Sequence, residues 1–119
     1  LGGLGVLASG SARADGLLDQ ARMLQQQGAM QDAWALLEAK EAERAGDPLF
    51  DQALAAAAED LGLYTRALLA WERVLQVQPD NRMAQDAQAR LLQGLGDVHG
   101  LQALPEAVRQ RSMVVDAAR

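Results

Sequence analysis

"GLYTRALLAWERVLQVQPDN", residues 62–81, has the outline of one amphipathic helix. It nevertheless spaces Gly62, Tyr64, Ala67, Trp71 and Pro79 in a way that amphipathicity alone does not require. Ala67, Leu68, Trp71, Val74 and Leu75 fall on one face of a helix predicted from about Tyr64 to Val77. Gly62 can take the left-handed conformation that ends a preceding helix, and Pro79 forbids continuation. Asp80 or Asn81 can then cap the next helix.

Shifted by 34 residues (62 − 28), the chain falls on itself. Gly28 meets Gly62, Met30 meets Tyr64, Ala33 meets Ala67 and Leu37 meets Trp71. Ala21 meets Ala55, and the register continues to Ala89 and Gly96. The blocks are 14–47, 48–81 and a partial 82–104. Each complete block divides into two helices. Asp47 is a natural N-cap, with Pro48 at the first helical position, where its missing N–H costs nothing. That helix is predicted to run to about Asp60. The first block predicts helices over about 15–27 and 30–45, and the third a helix over about 82–94. Beyond it the pattern fails. Gly100 stands where a helix former belongs and Pro105 where a large side chain belongs, so residues 105–118 are predicted as a separate capping helix.

Composition agrees with an all-α fold. Half of the 119 residues are apolar but only 3% are aromatic, and Ala and Leu dominate. No stretch alternates apolar and polar residues as a half-buried strand would. The formal charge is −5, without any Lys/Arg cluster, so nucleic-acid binding lacks its electrostatic footprint. There is no cysteine, which excludes disulfides, thiolate nucleophiles and zinc–thiolate sites. Residues 1–14, "LGGLGVLASGSARA", turn from apolar to small and polar, and Ala12-Arg13-Ala14 fits a signal-peptidase site. Two readings stand for them: the tail of a secretory signal peptide, or a flexible leader ahead of a domain at 15–119. The apolar run falls far short of the roughly 20 residues that span a bilayer.

The 34-residue pattern resembles the tetratricopeptide repeat. In that family small residues occupy repeat positions 8 and 20, large apolar residues positions 4, 11, 17 and 24, and proline a place near 32. Ala55, Tyr64, Ala67, Trp71 and Pro79 match in the second block; Leu17, Ala21, Leu24, Met30, Ala33 and Leu37 match in the first. The match departs at Asp51, which occupies position 4 with Phe50 beside it, and at Ala45, where proline is usual. The resemblance implies a short right-handed α-solenoid of about two and a half units plus the C-terminal cap. It implies that Tyr64, Trp34 and Trp71 pack in the core, with Trp71 between hairpins. More distantly, residues 41–81 are similar to periplasmic repeat domains of Gram-negative outer-membrane systems, such as the surface lipoprotein assembly modifiers and exopolysaccharide-export porins.

The sequence offers no catalytic, metal-binding or cofactor constellation. His99, the only histidine, falls in a predicted turn without a ligand partner at i+3 or i+4. Ser9, Ser11 and Ser112 lack a nearby base, and the glycine runs lack a phosphate-loop context. Glu38, Glu41 and Glu43, interspersed with Lys40 and Arg44, are expected to form a solvated face.

What remains is a surface. By the repeat register an inner face formed by the first helices carries Arg22 and Gln26, then Gln52 and Glu59, then Asp86, Arg90 and Gln93. The expected function is a non-catalytic protein-interaction scaffold of the cell envelope, located in the periplasm, with other proteins as partners. The alternative is a scaffold associated with exopolysaccharide export or peptidoglycan enzymes. No nucleic acid, membrane insertion or cofactor is expected, and self-association through the C-terminal edge is a further possibility. Arg22 and Arg90 would either orient an acidic partner or pair with Asp19 and Asp86 on their own helices.

Overall fold

The computed structural model describes residues 16–111, and every regular element in that span is helical. The leader 1–14 and the end of the chain, with Met113 and Val114, lie outside the described residues. In chain order the helices are α1 (16–26), α2 (Met30–Glu38), α3 (Glu41–Arg44), α4 (Pro48–Asp60), α5 (Tyr64–Val77), α6 (Arg82–Leu95), α7 (Val98–Gln102) and α8 (106–111). α4 packs against α2 and α5, α5 against α6, and α6 against α7.

Local chemistry sets the boundaries. Asp47 caps α4, its side chain accepting from the Leu49 amide at 3.1 Å, with Pro48 at the first position. Asn81 caps α6 by accepting from the Ala84 amide at 3.0 Å. Three turns share one geometry. Gly28, Gly62 and Gly96 have φ of 80°, 75° and 72°, and stand at the 34-residue interval. At each, the glycine N–H donates to a carbonyl three residues back (Gln25, Glu59, Gln93). The following N–H, of Ala29, Leu63 or Asp97, donates five residues back to Leu24, Ala58 or Leu92, which is the Schellman closure of a helix end. A side chain at these φ values is strained, so Gly62→Ala should cost about 1–2 kcal/mol in a denaturant melt although space for a methyl group exists.

The core repeats with the same interval. Ala21, Ala55 and Ala89 are buried, as are Ala33 and Ala67. Phe50, Leu54, Leu37, Val74 and Trp71 fill the space between helices α2, α4 and α5. Each such buried side chain contributes about 1.5–3 kcal/mol relative to exposure. Ala67 has no accessible surface, so Ala67→Leu should force helices apart and lower stability by about 1–3 kcal/mol. A thermal melt as high as that of the parent chain would contradict this register.

Three expectations need correction. The helix predicted over 30–45 is interrupted at Ala39 and Lys40, where Lys40 takes φ −105°, ψ 1° and its amide bonds only three residues back, to Leu37. Tyr64 is 51% exposed rather than packed in the core: it is the first residue of α5, directly after the turn at Gly62. His99 is exposed as expected, but it lies within the short helix α7 rather than in the predicted turn.

The third block diverges for a visible reason. Its second helix, α7, has five residues. Asp97 caps it by accepting from the Gly100 amide at 2.8 Å, and a Cβ on Gly100 would come within 2.8 Å of both the Asp97 carboxylate and Leu92. The chain then turns back, and Leu104 and Val108 bury themselves against Ala89 and Leu92. Pro105 immediately precedes α8, and its carbonyl accepts from the Arg109 amide at 3.1 Å. Deleting residues 105–119 should therefore expose the apolar edge of α6 and produce aggregation or a marked loss of helicity; a monomer with an unchanged melt would show that α8 is not a cap.

Candidate functional site: the face of α1, α4 and α6

The residues expected on an inner face belong to α1, α4 and α6, and side-chain bonds tie these helices together in that order. Gln25 donates to Asp60 at 3.4 Å, joining α1 to α4. Gln52 reaches the Met83 sulfur at 3.1 Å, joining α4 to α6. Glu59 joins the same pair a second way, accepting from Arg90. At the far end Arg111 of α8 donates to Asp86 at 3.0 Å and to Gln85 at 2.8 Å.

Glu59 is central to this face. One carboxylate oxygen accepts from the buried Trp71 indole N–H at 2.8 Å, and the other accepts from Arg90. The side chain therefore links the core between α4 and α5 to the surface between α4 and α6. Arg90 remains 55% exposed, and only its Nη2 is directed at Glu59.

Each basic residue of the face thus has an internal partner, though not always the expected one. Arg22 pairs with Asp19 at 3.3 Å on its own helix, both groups largely exposed. Arg90 pairs with Glu59 across helices rather than with Asp86, which Arg111 takes instead. Gln26 and Gln93 are exposed on the same helices.

A second polar cluster lies at the start of α4, and the sequence reading missed it. Asp51 is fully buried. Its carboxylate accepts from the Gly46 amide at 2.8 Å and from Arg73 Nε and Nη2 at 3.1 and 2.9 Å. Arg73 also donates to Glu41 at 3.1 Å, and Glu41 accepts from Arg66 at 2.9 Å. The Arg66 guanidinium lies 4.9 Å from the Trp34 ring centroid. Glu41 is therefore not part of a solvated face as expected: the break at Ala39–Lys40 precedes the turn of helix that meets α5 through it. Burial works against the charged form of Arg73, but its hydrogen bonds and charge interactions with Asp51 and Glu41 outweigh that and raise its pKa above the ordinary arginine value. A cation with a raised pKa contributes its full stabilisation below its unfolded-state pKa and loses it only as the pH rises through the folded value. The contribution of Arg73 should accordingly stay constant across neutral pH, which a pH series of denaturant melts on the parent and on Arg73→Leu would check.

Among the described residues no group of three or more His, Asp or Glu side chains is placed to hold a metal ion, and no helix is long and apolar enough to cross a membrane. No protein-family model matches the chain, and no curated protein matches it.

Proposed function

We propose that the chain is a non-catalytic, tetratricopeptide-type scaffold that binds a segment of another protein across the face of α1, α4 and α6. The observation that carries this reading is the recurrence of one glycine turn, with the same two hydrogen bonds, at Gly28, Gly62 and Gly96. A unit that repeats with its turn, its small residues and its buried positions in register stacks beside its neighbours and presents one helix from each to a common surface. The cross-helix bonds from Gln25 to Asp60 and from Arg90 to Glu59 support adjacency of those helices.

The proposed setting is the periplasm, based on the Ala12-Arg13-Ala14 pattern and on the similarity of residues 41–81 to envelope repeat domains. In that setting the exposed arginines are the groups best suited to an acidic partner segment, since a guanidinium can donate two parallel hydrogen bonds to one carboxylate. The variant carrying Arg22→Glu and Arg90→Gln should fold as the parent does: Arg22 and Asp19 are both more than half exposed, Arg90 is 55% exposed, and Glu59 keeps its bond from the Trp71 indole, so each pair contributes under about 1 kcal/mol. Capture of its protein partner from a periplasmic extract should nevertheless fall sharply. Undiminished capture, with circular dichroism unchanged, would move recognition away from these arginines.

A further inference from the structure

α3 is a four-residue helix with no buried residue, so apolar burial does not hold it in place. It is held by charge. Glu41 accepts from Arg66 through one oxygen at 2.9 Å and from Arg73 through the other at 3.1 Å, so a single carboxylate fastens the turn to two successive arginines of α5. At the other end of the turn Arg44 pairs with Asp47 at 3.1 Å and lies 5.5 Å from the Phe50 ring centroid. Directly after it, the Gly46 amide donates to the buried Asp51 carboxylate. The segment is set off on its N-terminal side by the break at Lys40 and on its C-terminal side by Gly46, whose φ of 100° ends it.

We propose that residues 41–46 form a charge-held flap that opens over Asp51 without unfolding the rest of the chain, with Glu41 as its latch. Segments with few buried apolar contacts open locally at free energies below that of global unfolding. The latch groups are partly exposed: the Glu41 side chain is 27% and that of Arg66 43% accessible. Salt therefore screens the latch far more than it screens the enclosed contact of Arg73 with Asp51. Opening removes the Gly46 donor from Asp51 but leaves Arg73 on the carboxylate, so the core beneath stays paired. Among the described residues, the charged groups facing the flap are Arg66 and Arg73 from α5, and Asp47 and Asp51 from the start of α4; Lys40 pairs with Glu43 at 4.0 Å. The flap stands independently of the proposed binding role, since none of its residues belongs to the face of α1, α4 and α6.

Amide hydrogen exchange by NMR tests this on the full chain. The reporters are the amides of Arg44, Ala45 and Gly46, bonded to Lys40, Glu41 and the Asp51 side chain; the references are Trp71 and Val74 in α5. In the unaltered protein the flap amides should exchange at least roughly ten-fold faster than the references, because they open without the core. Glu41→Gln should raise flap exchange by a further roughly five- to ten-fold, as expected for losing two partly screened pairs. Salt should act in the same direction on the unaltered protein: going from about 0.01 M to about 1 M shortens the screening length from about 30 Å to about 3 Å. Flap amides that ignore both the substitution and the salt overturn the proposal. So do flap and α5 amides that share one opening free energy in the unaltered protein, which would mean that 41–46 opens only with the whole fold.

Discussion

Trp71→Ala should destabilise the fold by about 3–5 kcal/mol, the usual range for emptying a buried aromatic site. Trp71 is only 3% exposed and sits in the core cluster with Phe50, Leu54 and Val74. Its loss also removes the indole donor from Glu59, which then keeps Arg90 alone. A domain of this size has about 5–15 kcal/mol to lose, so the variant should be marginal at 37 °C. Trp71→Phe separates the two contributions. It keeps most of the packing and deletes the hydrogen bond, and should cost roughly 1 kcal/mol beyond the small volume change. Urea melts followed by circular dichroism would read both. A stable alanine variant would mean that Trp71 does not fill the space between α4 and α5.

Arg73→Leu should be equally severe, for a different reason. It leaves the Asp51 carboxylate buried with only the Gly46 amide as partner, and breaking an enclosed ion pair on one side costs about 3–5 kcal/mol. Arg73 is 27% accessible, which places the expected loss toward the lower end. The double variant with Asp51→Leu removes the stranded charge along with its partner, and should recover most of that stability. The double-mutant cycle is therefore strongly non-additive. If each single change costs little and the two simply add, the pair is not coupled as the geometry requires.

Much of the fold was legible because its punctuation is local. Asp47-Pro48, Gly62 and Pro79-Asp80-Asn81 each act through the backbone of their immediate neighbours, so a sequence reading placed α4, α5 and the start of α6 within a residue or so. The alanines at 21, 33, 55, 67 and 89 were legible because close helix crossings leave no room for anything larger. The polar cluster was not, because it depends on four segments meeting. Asp51 stands where the repeat pattern calls for a large apolar residue, with Phe50 beside it, and both are buried. An ionisable residue in a core register demands a partner, and Arg66 and Arg73, seven residues apart on one face of α5, were the available signal. On the candidate binding face, helix membership followed from the register, whereas the exchange of partners between Asp86, Arg90 and Arg111 required the placement of α8.

The central claim is that the face of α1, α4 and α6 meets another protein. The most direct measurement places a photo-crosslinking amino acid at single positions of the protein in the cells that make it. Gln26 and Gln93 sample the proposed face; Leu69 and Gln76 are exposed on α5, a helix that is not part of that face. The account predicts adducts with the same partner protein from positions 26 and 93 and none from 69 and 76. Adducts confined to 69 and 76, or none at any of the four, would contradict it.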